Sequence, residues 1–489
     1  MSRVKWLVAI VAAIYVAIIV SHISYVAGGP DESGYMNEAR MLASGRTHID
    51  ITPLRTLHLD DSWAIVFTPL GFSPRGHEMV PVYPAGYPIL FIFGRFFVVA
   101  LAAFAAIALT YFIACELGLS FWYAVSAAAI LAADATFVLH SIVVMSDVVA
   151  TFWALLAILL ALRAAPHPPF GHLLPASGEK GLARDSSLAP RSGERVAEGR
   201  VRGSLAYAAG AAFAIGVWVR PTNILVAIPV LIVLRSKIVK AVIAAIPFGI
   251  ALMLFNAKVY GSPFATGYGS AAVFTWGDCF WEQLRYLMHI VSPAVVIGGL
   301  LIVLDKKAPR ALLFAWFAAF IVFYGCWQVC DNWTLTRFLL PATPALIIAA
   351  VFLVRDIPWP RAVAAIVILA ILGYSVDKWH KRHILDVPND QLIYSRSVRV
   401  AQQLVPRDAM LVTGLLSGTF FNYDNERFTV RWDTLEADRF AALRARTNAK
   451  WYAALSEVEV PMTEFRRRLP GRWTPIGGYR NVVIYRLDS

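Results

Sequence analysis

The sequence WLVAIVAAIYVAIIVSHISYVAGGPDESGYMNEARMLASG, residues 6–45, is the most informative part of this chain. An apolar run at 6–27 leads directly into two adjacent carboxylates, Asp31 and Glu32. The run is long enough to cross a bilayer, because about 20 residues span the hydrocarbon layer. The apolar region of a cleaved signal peptide would be shorter, at about 7–15 residues. We therefore interpret 6–27 as a first transmembrane helix that places Asp31 and Glu32 at a membrane–water boundary.

The composition extends this interpretation to the whole chain of 489 residues. Apolar residues make up 58% and charged residues 16%, whereas about a quarter of the residues of a typical soluble domain are charged. The mean hydropathy is +0.61. These values exclude a disordered chain and argue against a soluble enzyme, so we predict a polytopic α-helical membrane protein. The net charge of +12 does not indicate nucleic-acid binding, because the basic residues lie in predicted inner loops and in the C-terminal region.

Ten further apolar segments predict about eleven transmembrane helices in all. Two of them are short and meet at Arg220-Pro221, and a proline breaks a helix by removing a hydrogen-bond donor. The ten predicted spans are 95–115, 121–140, 143–163, 204–218, 222–235, 239–257, 288–304, 310–326, 338–354 and 361–377.

Loop charges predict the orientation, because cytoplasmic loops carry an excess of Lys and Arg. With the N-terminus cytoplasmic, the first outer loop is acidic, and an odd number of spans places the C-terminus on the periplasmic side. The basic residues of the predicted inner segments are Arg3, Lys5, the arginines from Arg163 to Arg202, Arg235, Lys237, Lys240, Lys306, Lys307, Arg310, Arg355 and Arg361.

Changes in composition predict the domain organisation. A transmembrane domain covers 1–377 and includes a first periplasmic loop at 28–88. Residues 164–203 are rich in Pro, Gly, Ser and charges, which predicts a disordered cytoplasmic insertion. Residues 378–489 carry 18 basic and 12 acidic residues, a net charge of +6. Short strand patterns at 410–413, 428–431, 451–454 and 482–486 alternate there with amphipathic helical patterns at 391–405 and 434–447. We therefore predict a small periplasmic α/β domain.

Four cysteines are too few for a disulfide-based scaffold. Cys279, Cys326 and Cys330 lie on the predicted outer side, where a disulfide is permitted, but the sequence does not select a pair. No clustered His, Asp and Glu pattern requires a metal. His58 with Asp60 and Asp61, or His77 with Glu78, would offer ligands to a divalent ion, although a solvated loop is the simpler interpretation of these residues.

Several polar or aromatic groups lie at predicted outer ends of spans. VPVYPAGYPILFIFGRFF, residues 80–97, combines aromatic residues with prolines and is typical of a rigid interfacial element. Asp147 lies at a membrane turn, and Arg220 and Arg337 lie near the ends of broken or terminal spans. Ionisable groups at membrane depth are expensive to bury and are therefore candidates for function.

In their order along the chain these motifs resemble the GT-C superfamily of lipid-phosphate-sugar glycosyltransferases. The resemblance covers about residues 6–355 and is strongest to the protein O-mannosyltransferase-like and aminoarabinose-transferase-like branches. The matching residues are Asp31, Glu32, Tyr35, Ala39, Gly45, Tyr83, Pro84, Gly86, Tyr87, Pro88, Ser146, Asp147, Gly216, Arg220, Pro221, Gly261, Ser262, Pro263, Thr266, Gly267, Tyr268, and Arg337 to Pro341.

The resemblance implies a polyprenyl-phosphate sugar donor at the outer membrane face and a single inverting displacement. It makes Asp31 the general base, which takes the proton of the acceptor hydroxyl, while Glu32 and Asp147 orient the acceptor or tune Asp31. Cations that stabilise the leaving phosphate would be Arg220, Arg337 and Lys258. The remaining pocket residues would be Tyr35, Tyr83, Tyr87 and Tyr268.

One departure from the family pattern concerns the donor. The aminoarabinose branch has a Lys before its Pro-Pro segment, where this chain has Val82-Tyr83-Pro84.

We expect an envelope acceptor, such as a glycolipid, lipopolysaccharide or polysaccharide, in a bacterial inner membrane. Protein O-mannosylation is an alternative, and a secondary transporter or lipid flippase is an alternative of a different class. Membrane lipids are the other expected partner. No cofactor is required, and a divalent metal remains an open alternative.

Overall fold

The computed structural model describes residues 3–165, 192–268, 279–304, 309–358, 360–424, 427–456 and 460–488, and the described chain is mostly helical. The elements as far as the end of the fourth predicted span are α1 (Arg3–Ser21), α2 (Pro30–Ala43), β1 (Ile49–Asp50), α3 (Thr52–Thr56), α4 (Ala64–Phe67), β2 (Phe72–Arg75), β3 (Glu78–Pro81), α5 (Gly86–Gly94), α6 (Phe97–Glu116), α7 (Phe121–Ala133), α8 (Ala135–Ile142) and α9 (Asp147–Ala164).

Helices alone continue the chain up to the C-terminal sheet. They are α10 (Ser192–Val219), α11 (Ala227–Leu234), α12 (Ile238–Tyr260), α13 (Cys279–Ile290), α14 (Pro293–Leu300), α15 (Arg310–Gly325), α16 (Thr343–Asp356), α17 (Arg361–Lys381) and α18 (Val387–Leu404), with short 3-10 segments at Pro221–Val226 and Trp333–Leu339 among others. The last elements are β4 (Met410–Thr413), α19 (Ser417–Tyr423), β5 (Phe428–Arg431), α20 (Ala437–Ala445), β6 (Trp451–Ser456), α21 (Met462–Arg468), β7 (Trp473–Tyr479) and β8 (Val482–Leu487).

Within the described residues, four helical stretches are long and apolar enough to cross a membrane, and two bent helix pairs raise that number to six. One of the four, Pro221–Tyr260, has 40 residues and would measure about 60 Å, twice the thickness of the hydrocarbon layer. Its backbone turns at Arg235, which has a φ of 46°. Four shorter apolar helices accompany these stretches. The fold is therefore a multi-helix membrane fold, and the prediction of about eleven spans stays a prediction.

Two predicted spans are bent where the chain carries a polar or proline residue. The pair α7 and α8 bends by 61° at Asp134, whose side chain accepts a 2.7 Å hydrogen bond from the backbone N–H of Phe137 and so caps α8. The 3-10 segment Trp333–Leu339 meets α16 at 85°, next to Pro341. After these bends, α8 contacts both α9 and the segment Trp333–Leu339.

One boundary prediction is wrong. The disordered insertion was expected to extend to residue 203, but α10 begins at Ser192, because the segment after Pro190 contains helix-forming residues and no further proline. The predicted insertion at 166–191 lies outside the described residues.

The C-terminal part of the chain contains a five-stranded mixed sheet in the order β5-β4-β6-β8-β7. The strands predicted at four positions are present as β4, β5, β6 and β8, and β7 is an additional strand. One face of this sheet shares a hydrophobic core with the first outer loop, to which the loop contributes Trp63 and Phe67 and the sheet region contributes Val430 and Phe440. These two parts of the chain therefore pack together, and α19 contacts α2.

A disulfide joins Cys279 to Cys330, and Cys115 and Cys326 are free. This selects one of the pairs that the sequence left open. The bond ties the start of α13 to the segment that leads into Trp333–Leu339, which carries Arg337.

Candidate functional site

The helix α2 begins directly after the first apolar run and presents Asp31 and Glu32 in its first turn. Pro30 occupies the first helical position, where its missing N–H has no consequence for helix hydrogen bonding. Carboxylates in the first turn interact favourably with the helix dipole. The local sequence therefore places both side chains in the first turn of α2, shortly after the C-terminal end of α1.

Asp31 is held from two sides. The hydroxyl of Tyr83 donates to its Oδ1 at 2.6 Å, and Nη2 of Arg337 donates to its Oδ2 at 2.7 Å. The side chains of Asp31 and Arg337 are 29% and 19% exposed, so the pair is accessible but shielded. Both oxygens of the Asp31 carboxylate therefore accept a hydrogen bond, which fixes the orientation of the side chain.

A second, more deeply buried pair lies beside the first. Asp147, the first residue of α9, forms an ion pair with Nη1 of Arg220, the residue that precedes the Pro221 break. Their side chains are 1% and 10% exposed. Because a buried ionised group needs a partner, each member of this pair requires the other.

Both arginines contact the same aromatic ring. The guanidinium of Arg220 is 4.7 Å and that of Arg337 is 5.0 Å from the centroid of Phe338. Phe338 itself stacks on Trp327 and Tyr324, at centroid distances of 4.7 and 5.0 Å. Cation–π contacts to one ring fix the spacing of the two cations. The two ion pairs thus form one unit, which we call the paired-charge site (Asp31–Arg337, Asp147–Arg220 and Phe338).

The predicted tyrosines line this site to different extents. The hydroxyl of Tyr35 forms a 2.8 Å hydrogen bond with Ser146 Oγ, and its ring is 4.5 Å from that of Tyr83 and 4.9 Å from that of Tyr87. Tyr87 is fully buried. Burial, followed by the negative charge of Asp31, raises the pKa of Tyr83 above its ordinary value, so its hydroxyl remains a donor. Tyr268 is 47% exposed, and its ring is 6.5 Å from that of Tyr83.

Close backbone approach requires glycine at two positions of the site. A Cβ on Gly34 would lie 2.2 Å from Cε2 of Tyr83, the ring that donates to Asp31. A Cβ on Gly86 would lie 2.4 Å from the backbone carbonyl carbon of Trp218, two residues before Arg220. A larger residue at either position would displace a group that contacts the ion pairs.

Glu32 points away from the ion pairs and toward α18. Nε2 of Gln391 donates to its Oε1 at 2.8 Å, and the hydroxyl of Ser24 in turn donates to Oε1 of Gln391. Burial, followed by the charge of neighbouring Asp31, raises the pKa of Glu32 to about 7. Glu32 is therefore protonated in part near neutral pH, and the C-terminal part of the chain contacts it directly.

We expect Glu32→Gln to become more stable relative to the wild type as the pH rises. The pKa of Glu32 is higher in the folded chain than in the unfolded chain. The stability that the protonated Glu32 side chain contributes is therefore complete below about pH 4.3 and is lost as the pH rises through about 7. Gln mimics the protonated form, and its Oε1 keeps the bond from Gln391. Melting temperatures at pH 5, 6, 7 and 8 measure the difference; the exposed Glu78→Gln is the control. A difference that does not change with pH would contradict this assignment.

Three residues of the site were not predicted from the sequence. His140 in α8 is 3% exposed and donates from Nδ1 to the carbonyl oxygen of Thr136 at 2.8 Å, and it lies near the charges of Asp147 and Arg337. Phe338 and Gln391 are the others. Phe338 directly follows Arg337 and could have been found on that ground, whereas a buried histidine or glutamine carries no signal of its own.

Lys258 is not part of the paired-charge site. It is exposed in the last turn of α12, while the ion pairs of the site use Arg220 and Arg337. In the part of the chain that the structure describes, no three His, Cys, Asp or Glu side chains converge as metal ligands. His77 contacts Asp61 at 3.1 Å in the outer loop, far along the chain from the paired charges.

Comparisons with known proteins agree with this architecture. Residues 81–173 match the family model described as dolichyl-phosphate-mannose-protein mannosyltransferase, a segment that contains Tyr83, Tyr87 and Asp147. A search of curated protein sequences found no match.

Solved structures of other proteins have a similar fold. ArnT from Cupriavidus metallidurans in the apo state aligns with a TM-score of 0.60 at 13% identity, covering 99% of this chain and 98% of that chain. The same protein bound to undecaprenyl phosphate aligns with a TM-score of 0.56 at 14% identity, with the same coverage of both chains. AglB, an oligosaccharyltransferase from Archaeoglobus fulgidus in complex with an inhibitory peptide and a dolichol-phosphate, aligns with a TM-score of 0.54 at 13% identity over 96% of this chain and 72% of that chain.

A sequence-family match over residues 81–173 and a similar fold over nearly the whole chain thus agree with the motif resemblance to the GT-C glycosyltransferases.

Proposed function

We propose that this chain transfers a sugar from a polyprenyl-phosphate donor to a hydroxyl of an envelope glycolipid, lipopolysaccharide or polysaccharide at the periplasmic face of a bacterial inner membrane. The observation that carries the proposal is the paired-charge site, in which an accessible carboxylate lies beside two fixed guanidinium groups at the outer ends of the helices.

Asp31 is the general base of the proposed reaction. The acceptor oxygen attacks the anomeric carbon, its proton passes to Asp31, and the bond between the anomeric carbon and the phosphate oxygen breaks. The electron pair leaves with the polyprenyl phosphate, and the anomeric configuration inverts. The hydrogen bonds from Tyr83 and Arg337 keep the carboxylate oriented for this proton transfer.

The two arginines stabilise the leaving phosphate. A guanidinium has five N–H donors, and each of these arginines uses one of them for its aspartate. Nε of Arg337 is buried and has no hydrogen-bond partner among the described residues. A phosphate between Arg220 and Arg337 would therefore receive donors without either ion pair having to break.

An apolar groove offers a place for the polyprenyl chain. It has a volume of about 610 Å³, lies between α11 and α15, and is lined by Ile228, Ala318, Ala319, Val322, Phe323 and Cys326. The hydroxyl of Tyr324 on α15 donates to Thr222 Oγ1 at 2.8 Å, two residues after Arg220. We assign the polyprenyl chain to this groove because α15 both lines it and contacts the segment that follows Arg220.

Arg337→Gln should weaken binding of undecaprenyl phosphate about tenfold, because a hydrogen bond to a charged group contributes about 1.5–3 kcal/mol. Binding is measured on purified protein in nanodiscs without an acceptor. Arg399→Gln removes the same charge from the exposed face of α18 and serves as the control. Equal affinity of both variants and the wild type would remove Arg337 from the phosphate site.

The proposed topology places 1–377 in a transmembrane domain with its N-terminus in the cytoplasm and 378–489 in a periplasmic domain. The Cys279–Cys330 disulfide favours an oxidising compartment for that side of the protein, because disulfides persist in the periplasm and are rare in the cytosol. The core shared by the first outer loop and the C-terminal sheet favours one common side for both.

A reporter fused after residue 489 tests this topology. Alkaline phosphatase, which folds only in the periplasm, should be active there, and a green fluorescent protein that fluoresces only in the cytoplasm should stay dark. The same reporters inserted at residue 180 should give the opposite result. Fluorescence from the C-terminal fusion would overturn the proposed orientation.

A protein acceptor is the second candidate. It is favoured by the family model over residues 81–173, whose members are described as protein mannosyltransferases. Incorporation of labelled sugar into protein instead of glycolipid, in the same assay, would select it.

A further inference from the structure

A cleft of about 400 Å³ opens on the outer side of the molecule, away from the paired-charge site. It lies between the second half of α2, the segment that leads to α3, and α19 of the C-terminal part. Arg40, Arg46, Ser44, Thr52 and Phe421 are among its lining residues. We call it the outer cleft.

Arg40 is a fixed cation in the wall of the outer cleft. Its guanidinium donates to the carbonyl oxygens of Asn422 and Phe421 at 2.7 and 2.9 Å, and to Oδ1 of Asn37 at 3.2 Å. It also lies 5.7 Å from the centroid of the Phe421 ring. These acceptors are neutral, so they hold the side chain in place without cancelling its charge.

Arg46 adds a second positive charge. Its side chain is exposed and has no hydrogen-bond or carboxylate partner in the described chain. Asp50, the acidic residue of the lining, is already paired with Arg55 at 2.9 Å. The outer cleft therefore presents two guanidinium groups with unused donors, which is the chemistry that recognises phosphate or carboxylate.

The outer cleft is too far from Asp31 to hold the hydroxyl that reacts, so it would hold another part of the same acceptor. At 1.5 Å per residue, Arg40 and Ser44 lie roughly 13–20 Å along α2 from Asp31. The hydroxyl groups of Ser44 and Thr52 and the Phe421 ring are suited to the hydroxyl groups and apolar faces of sugars.

We propose that the outer cleft is an acceptor subsite, which binds a phosphate or carboxylate group on the acceptor glycan at a distance from the hydroxyl that receives the sugar. The proposal rests on the proposed function and narrows it, because it makes the acceptor an anionic glycan.

Binding of a deacylated lipopolysaccharide oligosaccharide to the purified full-length protein in nanodiscs tests the subsite. The wild type, Arg46→Gln and the control Arg399→Gln are compared, each with the native, the dephosphorylated and the carboxyl-reduced oligosaccharide. We expect Arg46→Gln to weaken binding of the native probe about tenfold and Arg399→Gln to leave it unchanged. One of the two altered probes, the dephosphorylated or the carboxyl-reduced oligosaccharide, lacks the group that Arg46 binds. Wild type and Arg46→Gln should bind that probe with equal affinity. Equal binding by all three proteins would overturn the proposal.

Two further arms separate this proposal from its alternatives. Arg46-dependent affinity for phosphatidylglycerol vesicles without affinity for the oligosaccharide would overturn the acceptor subsite in favour of a lipid headgroup site. In a transfer assay, Arg46→Gln should raise the acceptor KM about tenfold with kcat unchanged, because a remote subsite contributes equally to ground-state and transition-state binding. Oligosaccharide binding that depends on Arg46, in a protein that transfers no sugar, would support the subsite and refute the proposed function.

Discussion

Replacing Asp31 by asparagine is expected to reduce sugar transfer by a factor of about 10² to 10⁴, the contribution of a positioned general base. Asparagine keeps the size of the side chain, and its one amide oxygen can replace one of the two acceptor oxygens that Asp31 offers to Tyr83 and Arg337. It cannot accept the proton of the attacking hydroxyl. The loss should therefore fall on kcat, while the affinity for the polyprenyl-phosphate donor changes little.

The control for this prediction is Asp61→Asn, which removes an exposed carboxylate from the same outer loop. Both variants are compared with the wild type in kcat, donor affinity and melting temperature. Transfer by Asp31→Asn within a few-fold of the wild type would remove Asp31 as the base and would leave Asp147 as the remaining carboxylate of the site.

Breaking the Asp147–Arg220 pair should be the most destabilising single change at the site. Arg220→Met leaves the carboxylate of Asp147 buried without its partner, and breaking a buried pair destabilises a protein by about 3–5 kcal/mol. The double variant Asp147→Leu/Arg220→Met removes both charges and should recover most of that stability. It should not recover transfer, because Arg220 is also proposed to bind the phosphate.

Thermal unfolding of both single variants, the double variant and the wild type forms a double-mutant cycle. A coupling free energy near zero would show that the pair does not stabilise the fold. A double variant with full transfer activity would show instead that Arg220 has no role in phosphate binding.

The sequence predicted the membrane class and most helix positions, because uncharged apolar runs of about 20 residues are typical of membrane-spanning helices and rare in soluble domains. It did not predict the bends at Asp134 and next to Pro341, since an aspartate that caps a new helix has no distinctive pattern before its contacts are known. It also extended the disordered insertion over the start of α10.

The sequence predicted most residues of the candidate site but not how they are arranged. Asp31, Tyr83 and Arg337 were each identified from motifs, and the structure brings them into direct contact. Their pairing was not predictable, because Asp31 and Arg337 are 306 residues apart and four charges allow more than one pairing. The roles assigned to these residues remain predictions, as does the involvement of Lys258, which lies exposed on α12.

The central claim is that the chain uses a polyprenyl-phosphate sugar to glycosylate an envelope acceptor. Purified wild-type protein and Asp31→Asn in nanodiscs are supplied with a panel of radiolabelled polyprenyl-phosphate sugars and an envelope glycolipid extract, and the label and the released polyprenyl phosphate are followed. We predict that the wild type consumes one donor, transfers its label to the extract with an inverted anomeric configuration, and loses this activity in Asp31→Asn. Intact donors in every reaction of a folded wild type, together with movement of a labelled lipid across the bilayer of reconstituted vesicles, would contradict the claim and indicate a transporter.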